Sequence, residues 1–201
     1  MNAPQPLRRG LLALGVGLSD EQVERLERYL ALLEKWNRTY NLTAIRDPLE
    51  MVGHHLLDSL AVIPYLPMPQ AGATLADVGS GAGLPGIPLA IARPQWQITL
   101  NDSNQKKAAF LRQAAIELGL ANAAVHEGRV ESWRPAARFA VVISRAFAEL
   151  ADFIAHCRHL VAPGGVLAAM TGAAPKAGTV IRLNVPLLDA QRHLVLCHVG
   201  G

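Results

Sequence analysis

The chain has 201 residues, of which 51% are hydrophobic and 17% are charged. The apolar content excludes a chain that is mainly disordered, and no apolar run reaches the ~18–20 residues that a membrane helix needs. The net charge of +3 permits an anionic partner without requiring one. We therefore expect a globular, cytoplasmic protein that has one main domain and no membrane association.

The first third of the sequence has the periodicity of helices. Ser19 and Gln22 have the spacing of a capping box, and apolar residues then recur every three to four positions from Val23 to Trp36. A second helix is predicted from about residue 49 to residue 63. The prolines that follow cannot continue it, so residues 1–72 are predicted to form a helical extension with a proline-rich linker.

The rest of the chain, residues 73–201, alternates short apolar strands with helical segments, which is typical of a parallel α/β sheet. Strands are predicted at 74–78, 98–100, 124–126, 139–143, 165–170, 179–185 and 192–198. Helices are predicted at 87–92, 106–118 and 150–160. Because the last two strands are joined by a short turn, the sequence predicts a Rossmann-like, mostly parallel sheet that ends in an antiparallel hairpin.

The connection between the fifth and sixth predicted strands is short for a parallel crossover. Such a connection needs about a dozen residues, and only residues 171–178 are available. We expect either that the crossover helix is missing or that a segment is absent from the chain.

A glycine-rich loop lies between the first strand of this domain and the helix after it. Gly79, Gly81 and Gly83 allow a sharp turn and a close approach of the backbone to a ligand. Asp102 follows Gly83 by 19 positions, at the end of the next strand. A carboxylate there is placed to accept hydrogen bonds from both hydroxyls of a ribose, so the loop is predicted to bind a nucleotide-type cofactor.

The identity of that cofactor depends on Asp77. Residues 81–86 also fit the G-x-G-x-x-G pattern of dinucleotide sites. However, Asp77 would repel a pyrophosphate and attract a cationic sulfonium, and the closing hairpin suits methyltransferases better. We predict S-adenosyl-L-methionine as the cofactor and a class I methyltransferase fold, with a nicotinamide-dependent oxidoreductase as the alternative.

Several longer motifs resemble the bacterial RsmG (GidB) family of 16S ribosomal RNA methyltransferases. They lie at 36–43, 55–60, 77–88, 144–148 and 192–195. The resemblance runs from about Leu18 to the end and implies methylation of N7 of guanine 527, in the 530 loop. It further implies 16S ribosomal RNA or the small subunit as the partner, and we expect the protein to act as a monomer. The chain departs from the family at Asn101, where an apolar residue is usual, and at Thr171, often a lysine.

The same resemblance implies roles for individual residues. Gly79 and Leu84 are expected to contact the cofactor, and Val130 and Glu131 to flank its adenine. Arg145 is expected to reach into the cleft shared by cofactor and substrate.

The residues themselves narrow the chemistry. The segment 144–147 lacks the Asn/Asp-Pro-Pro-aromatic motif of adenine amino-group methylation, and neither Cys157 nor Cys197 follows a strand end as the nucleophile of pyrimidine methylation would. Guanine N7 has a free lone pair and needs no general base, so positioning suffices. N7 methylation fits this pattern, and a non-catalytic RNA-binding assembly factor stays open as a further alternative.

Arg145 is the strongest candidate for a catalytic and substrate-binding residue, because it follows a buried strand at the carboxyl edge of the sheet. Its guanidinium can hold a phosphate, guanine O6 or the cofactor carboxylate, or form a structural ion pair. Phe147 is a candidate for stacking on a base. His54, His55 and Asp58 share a helix face, and we expect a hydrogen-bonded His–Asp pair that docks this helix instead of a metal site.

Overall fold

The computed structural model describes residues 5–68, 72–145, 147, 149–175 and 178–199. Helices α1 to α7 span Gln5–Leu14, Asp20–Tyr40, Pro48–Met51, Asp58–Leu60, Gly86–Ala92, Gln105–Glu117 and Leu150–Cys157. Strands β1 to β7 span Thr74–Val78, Gln97–Asp102, Ala123–Glu127, Phe139–Ser144, Val161–Thr171, Thr179–Leu183 and Arg192–His198. Single 3₁₀ turns lie at Ile63–Tyr65, Val130–Ser132 and Arg158–Leu160. Pro69 of the predicted linker lies outside the described residues.

The strands form one seven-stranded sheet in the order β3-β2-β1-β4-β5-β7-β6. Strands β1 to β5 are parallel, and β7 is antiparallel to both β5 and β6. The predicted fold class is therefore confirmed. The strand order reverses between β1 and β4, and in open α/β sheets such a switch point opens a ligand crevice at the carboxyl ends of the strands.

The short connection from β5 to β6 is explained by the strand register. Thr179 of β6 and Ala168 of β5 both align with Leu196 of β7, which lies between them. β5 ends at Thr171, three residues beyond the level at which β6 begins. The connection therefore has to run back along the strand direction by only three residues, about 10 Å. Residues 172–178 are long enough for this return, so the topology requires neither the crossover helix nor the additional segment that we expected to be missing.

The second predicted helix is one helical run from Pro48 to Leu60 that contains a π-helix at Val52–Leu57. The N–H of Asp58 donates to the carbonyl of Gly53, five residues earlier. An extra residue in a helical turn has no signature in apolar periodicity, and such insertions are frequent at functional sites.

Helix α1 was not predicted from the sequence. It packs on the π-helix, where a Cβ added to Gly10 would lie 2.3 Å from Leu57 Cδ1. Gly10 disfavours a helix by local propensity, but it allows this close approach, so tertiary packing outweighs the local preference.

The helical extension and the sheet share one hydrophobic core. Leu7, Leu26 and Leu33 of the extension are fully buried in the same cluster as Leu75 and Ile87. The predicted capping box of α2 is present, and Gln22 also donates to the carbonyls of Ile91 and Ala92. Each part covers apolar surface of the other. The division into a helical extension, residues 1–72, and a separate domain, residues 73–201, therefore stays a prediction.

Candidate cofactor and substrate site

The glycine-rich loop forms a tight turn between β1 and α5. Gly79, Gly81 and Gly83 have φ angles of 69°, 58° and 89°, in the left-handed region that favours glycine. The carbonyl of Ser80 accepts hydrogen bonds from the N–H groups of Gly83 and Leu84, at 2.7 and 3.0 Å. These contacts fix the loop before any ligand binds.

A cavity of about 180 Å³ opens beside this loop, at the carboxyl ends of β1, β2 and β3. Five predicted site residues line it: Gly79, Asp102, Val130, Glu131 and Phe147. The sequence predictions that concern this cavity therefore converge in space.

Asp102 connects the glycine loop to the end of β2. Its Oδ2 accepts the N–H of Gly81 at 2.9 Å, and its Oδ1 accepts the N–H of Asn104 at 2.8 Å. A carboxylate oxygen has a second lone pair, so both oxygens keep a site for a hydroxyl donor. The side chain is thus held in place by the backbone while it faces the cavity.

Asn101 also lines this cavity, and we did not predict it as a site residue. Its Nδ2 donates to the carbonyls of His126 and Gly128, at 3.1 and 2.9 Å. These bonds tie the end of β2 to the turn that carries Val130 and Glu131. An apolar side chain at this position could not make these bonds, so Asn101 helps to orient the turn.

Four other predicted cofactor residues do not line the cavity: Asp77, Gly81, Gly83 and Leu84. Asp77 is fully buried, its Oδ2 accepts the N–H of Gly86 at 2.9 Å, and burial raises its pKa to about 7. A Cβ on Gly83 would lie 2.3 Å from Ile87 Cδ1, and Leu84 is also buried. These residues shape the loop, and a direct contact from them to the cofactor stays a prediction.

A second cavity, of about 400 Å³, lies over the carboxyl ends of β4 and β5 and the start of β7. Its walls include Thr43, His55, Asp58, Arg145, Thr171 and Arg192. Arg145 and Phe147, both predicted to meet the substrate, therefore line different cavities. Phe147 packs against Phe153 and His156, with ring centroids 5.3 and 6.2 Å away.

Asp58 holds the two arginines of the second cavity. Its Oδ2 lies 3.0 Å from Arg145 Nη1, and its Oδ1 lies 3.2 Å from Arg192 Nε. The same Arg145 nitrogen donates to the carbonyl of His54 at 2.9 Å. Because 28% of the Arg145 side chain stays exposed while Asp58 is only 1% exposed, the arginine combines a structural ion pair with access to the cavity.

The expected His–Asp pair is wrong. Asp58 pairs with arginines, and His55 Nε2 lies 3.0 Å from Thr43 Oγ1. Burial, helped by the Arg145 guanidinium, lowers the pKa of His55 to about 4, so this imidazole is neutral near pH 7. Among the described residues, no three His, Cys, Asp or Glu side chains come together as a group that could hold a metal ion.

Tyr29 of α2 is another residue that sequence reasoning missed. It is fully buried, and its hydroxyl donates to the carbonyl of Ala82 in the glycine loop at 2.7 Å. Its position on the apolar face of α2 predicts burial, but nothing local indicates a partner 53 positions away.

The first cavity fits S-adenosylmethionine. The Asp102 carboxylate suits a ribose diol, Val130 and Phe147 supply apolar surface for an adenine, and Gly79 leaves room at the loop. None of these groups conflicts with a cationic ligand. The fold and this cavity together define a class I methyltransferase.

The chain belongs to the rRNA small subunit methyltransferase G family (GidB), whose sequence profile matches residues 22–198. It is 55% identical to the ribosomal RNA small subunit methyltransferase G of Burkholderia thailandensis, over 94% of this chain and 88% of the relative. A Burkholderia pseudomallei protein of the same name is 53% identical, with the same coverage. The family resemblance is therefore confirmed.

Solved structures support the fold at lower identity. A SAM-dependent methyltransferase from Aquifex aeolicus has a TM-score of 0.55 at 15% identity, over 85% of this chain and 98% of that chain. The C-terminal domain of precorrin-6Y C5,15-methyltransferase from Rhodobacter capsulatus has a TM-score of 0.54 at 14% identity, over 71% and 88%. Within the described part of the chain, no helix is long and apolar enough to cross a membrane.

Proposed function

We propose that this protein transfers a methyl group from S-adenosylmethionine to N7 of a guanine in 16S ribosomal RNA, at position 527 in the 530 loop. The observation that carries this proposal is the family match over residues 22–198, because it includes the residues of both cavities. The nicotinamide alternative is not favoured, since the matched family and the solved structures of this fold are methyltransferases.

In this proposal the first cavity binds the cofactor and the second cavity binds the substrate guanine. The Asp102 carboxylate accepts hydrogen bonds from the ribose hydroxyls of the cofactor, and Val130 and Glu131 flank its adenine. When bound, S-adenosylmethionine supplies an electrophilic methyl group. Arg145, held by Asp58 and by the carbonyl of His54, orients the guanine through O6 or a neighbouring phosphate.

The titratable groups of the site agree with a reaction that needs no general base. Guanine N7 has no proton to lose, so catalysis depends on alignment of the nucleophile with the methyl group. Pyrimidine methylation at carbon 5 needs a thiolate, but Cys157 is fully buried, and burial, with a smaller effect of Glu131, raises its pKa to about 12.

Mass spectrometry of ribosomal RNA from a deletion strain tests the reaction. We expect the loss of one methyl group from a single guanine of 16S ribosomal RNA, and its return when the wild-type gene is restored. An unchanged set of methyl groups would contradict the proposal and favour the non-catalytic assembly factor.

Asp102→Ala tests the cofactor cavity. We expect binding of S-adenosylhomocysteine to weaken by roughly 1.5–3 kcal/mol, the scale of lost hydrogen bonds to a charged group. Isothermal titration calorimetry measures this change, and Asp189→Ala, at an exposed aspartate, is the matched control. Unchanged affinity in the Asp102 variant, or tighter binding of NADH by the wild type, would overturn the cofactor assignment.

A further inference from the structure

A third cavity, of about 660 Å³, lies between α7 and the segment that connects β3 to β4. We call it the arginine cleft, because Arg134, Arg138 and Arg158 line it together with His156 and His159. Glu131 is the one carboxylate among its lining residues. Three guanidiniums thus face a single acidic side chain, and the local charge is positive although the net charge of the whole chain is only +3.

Several arginines elsewhere on the molecule have a carboxylate partner, and in the described part of the chain the arginines of this cleft do not. Arg25, Arg38 and Arg112 each pair with a glutamate. None of the three cleft arginines forms an ion pair with a described carboxylate, whereas Arg134 is fixed by bonds from its Nη1 to the carbonyls of Glu131 and Trp133. Unpaired guanidiniums that converge on one cavity favour an anionic ligand.

The shape of the cleft favours an extended anion. Its volume exceeds that of one phosphate, and its lining includes small apolar groups from Ala155, Ala162 and Pro163. A ribose–phosphate chain presents anionic oxygens at intervals with apolar sugar surface between them. Arginines together with small apolar groups match that alternation.

We infer that the arginine cleft binds the phosphodiester backbone of the ribosomal RNA, away from the base that is methylated. Glu131 lines both this cleft and the cofactor cavity, so the two cavities adjoin, and the cleft extends from there to the amino ends of β4 and β5. The RNA backbone is therefore bound next to the cofactor cavity, on a surface that shares no lining residue with the Arg145 cavity. This inference rests on the proposed function for the identity of the RNA.

The variant Arg134→Gln/Arg138→Gln/Arg158→Gln tests the cleft in binding assays with protein-free 16S ribosomal RNA. Each lost phosphate contact reduces the salt dependence of binding by about 0.7 in the slope of log K against log salt for a single strand. We expect a slope shallower by about 2 and a Kd raised by about tenfold or more near 100 mM salt. Binding of S-adenosylhomocysteine is expected to stay unchanged when only Arg138 and Arg158 are replaced, because neither lines the cofactor cavity and Arg134 keeps its bonds to the turn that carries Glu131.

Two further variants make the result specific. Arg9→Gln/Arg25→Gln/Arg38→Gln removes the same charge from helices α1 and α2, and we expect it to bind RNA as the wild type does. Arg138→Gln/Arg158→Gln keeps the hydrogen bonds of Arg134 and so preserves the turn if the triple variant unfolds. For this double variant we expect a slope shallower by about 1.4.

The possible outcomes distinguish RNA binding by the arginine cleft from the proposed methyl transfer. Equal affinities and slopes for wild type and cleft variants would overturn the inference, as would an equal loss in the control variant. A loss confined to assembled small subunits, with bare RNA bound normally, would overturn it by pointing to a ribosomal protein. Methyl transfer by the wild type is measured separately, so failure of the proposed function leaves a different signature from failure of the cleft.

Discussion

Asp58 and Asp77 are both buried carboxylates, but they have opposite electrostatic surroundings. Asp58 lies between the guanidiniums of Arg145 and Arg192 and is compensated by them. Asp77 receives one backbone N–H at Oδ2, and its Oδ1 has no hydrogen-bond partner among the described residues. Because Asp77 is buried without a cation in contact, its neutral acid form is favoured and its pKa is raised to about 7. The carboxyl group that bonds to Gly86, behind the glycine loop, therefore titrates near neutral pH.

Asp77 makes the stability of the protein depend on pH. Its pKa is about 7 in the folded chain against an ordinary value of 3.8. From about pH 4 to pH 7 the folded state keeps a proton that the unfolded chain has released, so the free energy of unfolding contributed by this group falls as pH rises. We expect the wild type to lose on the order of 2 kcal/mol relative to Asp77→Asn between pH 5 and pH 8.

Denaturant unfolding at the two pH values measures this difference. Comparison with the Asn variant cancels the opposite effect of His55, whose lowered pKa makes stability rise with pH between about 4 and 6.5. Asp189→Asn, at an exposed position, is expected to follow the wild type at both pH values. A pH-independent difference between wild type and Asp77→Asn would show that this carboxyl is ionised in the folded state.

Arg145 is expected to act through geometry. In N7 methylation the positive charge moves from the cofactor to the purine, so a nearby cation gains little from charge stabilisation, and orientation of its partner dominates. Asp58 and the His54 carbonyl hold one nitrogen of the planar fork. Arg145→Lys keeps the charge and loses the fork, so we expect single-turnover methylation nearly as slow as in Arg145→Ala, about 100-fold below wild type.

Circular dichroism separates this effect from a loss of fold, and Arg182→Lys, at an exposed arginine, is the matched control. Methylation by Arg145→Lys at the wild-type rate would show that charge alone is the contribution of this residue.

Local sequence predicts one cavity much better than the other. Gly79, Asp102 and Val130 follow the ends of consecutive parallel strands, and topology brings such ends to one edge of a sheet. Asp58 and Arg145 are 87 positions apart on a helix and a strand end, and their contact depends on how that helix docks. Spacing along the chain carries no information about such docking. Local spacing therefore predicts a pair between Asp58 and a histidine of its own helix instead of the ion pair with Arg145.

At the scale of elements, α2 supports the glycine loop directly. The Tyr29 hydroxyl satisfies the carbonyl of Ala82, and Gln22 satisfies two carbonyls near the end of α5. Helix α2 therefore stabilises the backbone within the cofactor loop and at the end of the helix that follows it.

Removal of the Tyr29 hydroxyl is expected to weaken both stability and cofactor binding. Tyr29→Phe leaves the Ala82 carbonyl without its donor, and a buried unsatisfied carbonyl costs about 1–3 kcal/mol. Thermal unfolding and calorimetry with S-adenosylhomocysteine measure the two effects. Tyr65→Phe, at a tyrosine that is 42% exposed, is expected to change neither, and a wild-type melting temperature in Tyr29→Phe would contradict the role of this bond.

The elements that were predicted well have strong local boundaries. β1 and β7 match their predicted bounds: β1 ends directly before Gly79, and the apolar centre of β7 lies between Arg192-His193 and His198. The π-helix has no periodic signature of its own, because it continues the helices on either side. Its presence follows from the packing of this helical run against α1 and the sheet.

At the scale of the whole molecule, this chain is shorter than its relatives. Its alignment with the Burkholderia thailandensis protein spans 204 positions, more than the 201 residues of the chain. The relative therefore has residues without a counterpart here.

The shared core predicts that the sheet does not fold without the helical extension. Leu7, Leu26, Leu33 and Tyr29 are fully buried, and each such side chain contributes roughly 1.5–3 kcal/mol. Their combined loss is comparable to the ~5–15 kcal/mol stability of a typical domain. A chain that begins at residue 42 is therefore expected to show no cooperative thermal transition. A chain cleaved between Arg46 and Asp47, in an exposed segment, keeps both pieces and is expected to unfold cooperatively. A wild-type transition in the truncated chain would show that the sheet folds without helices α1 and α2.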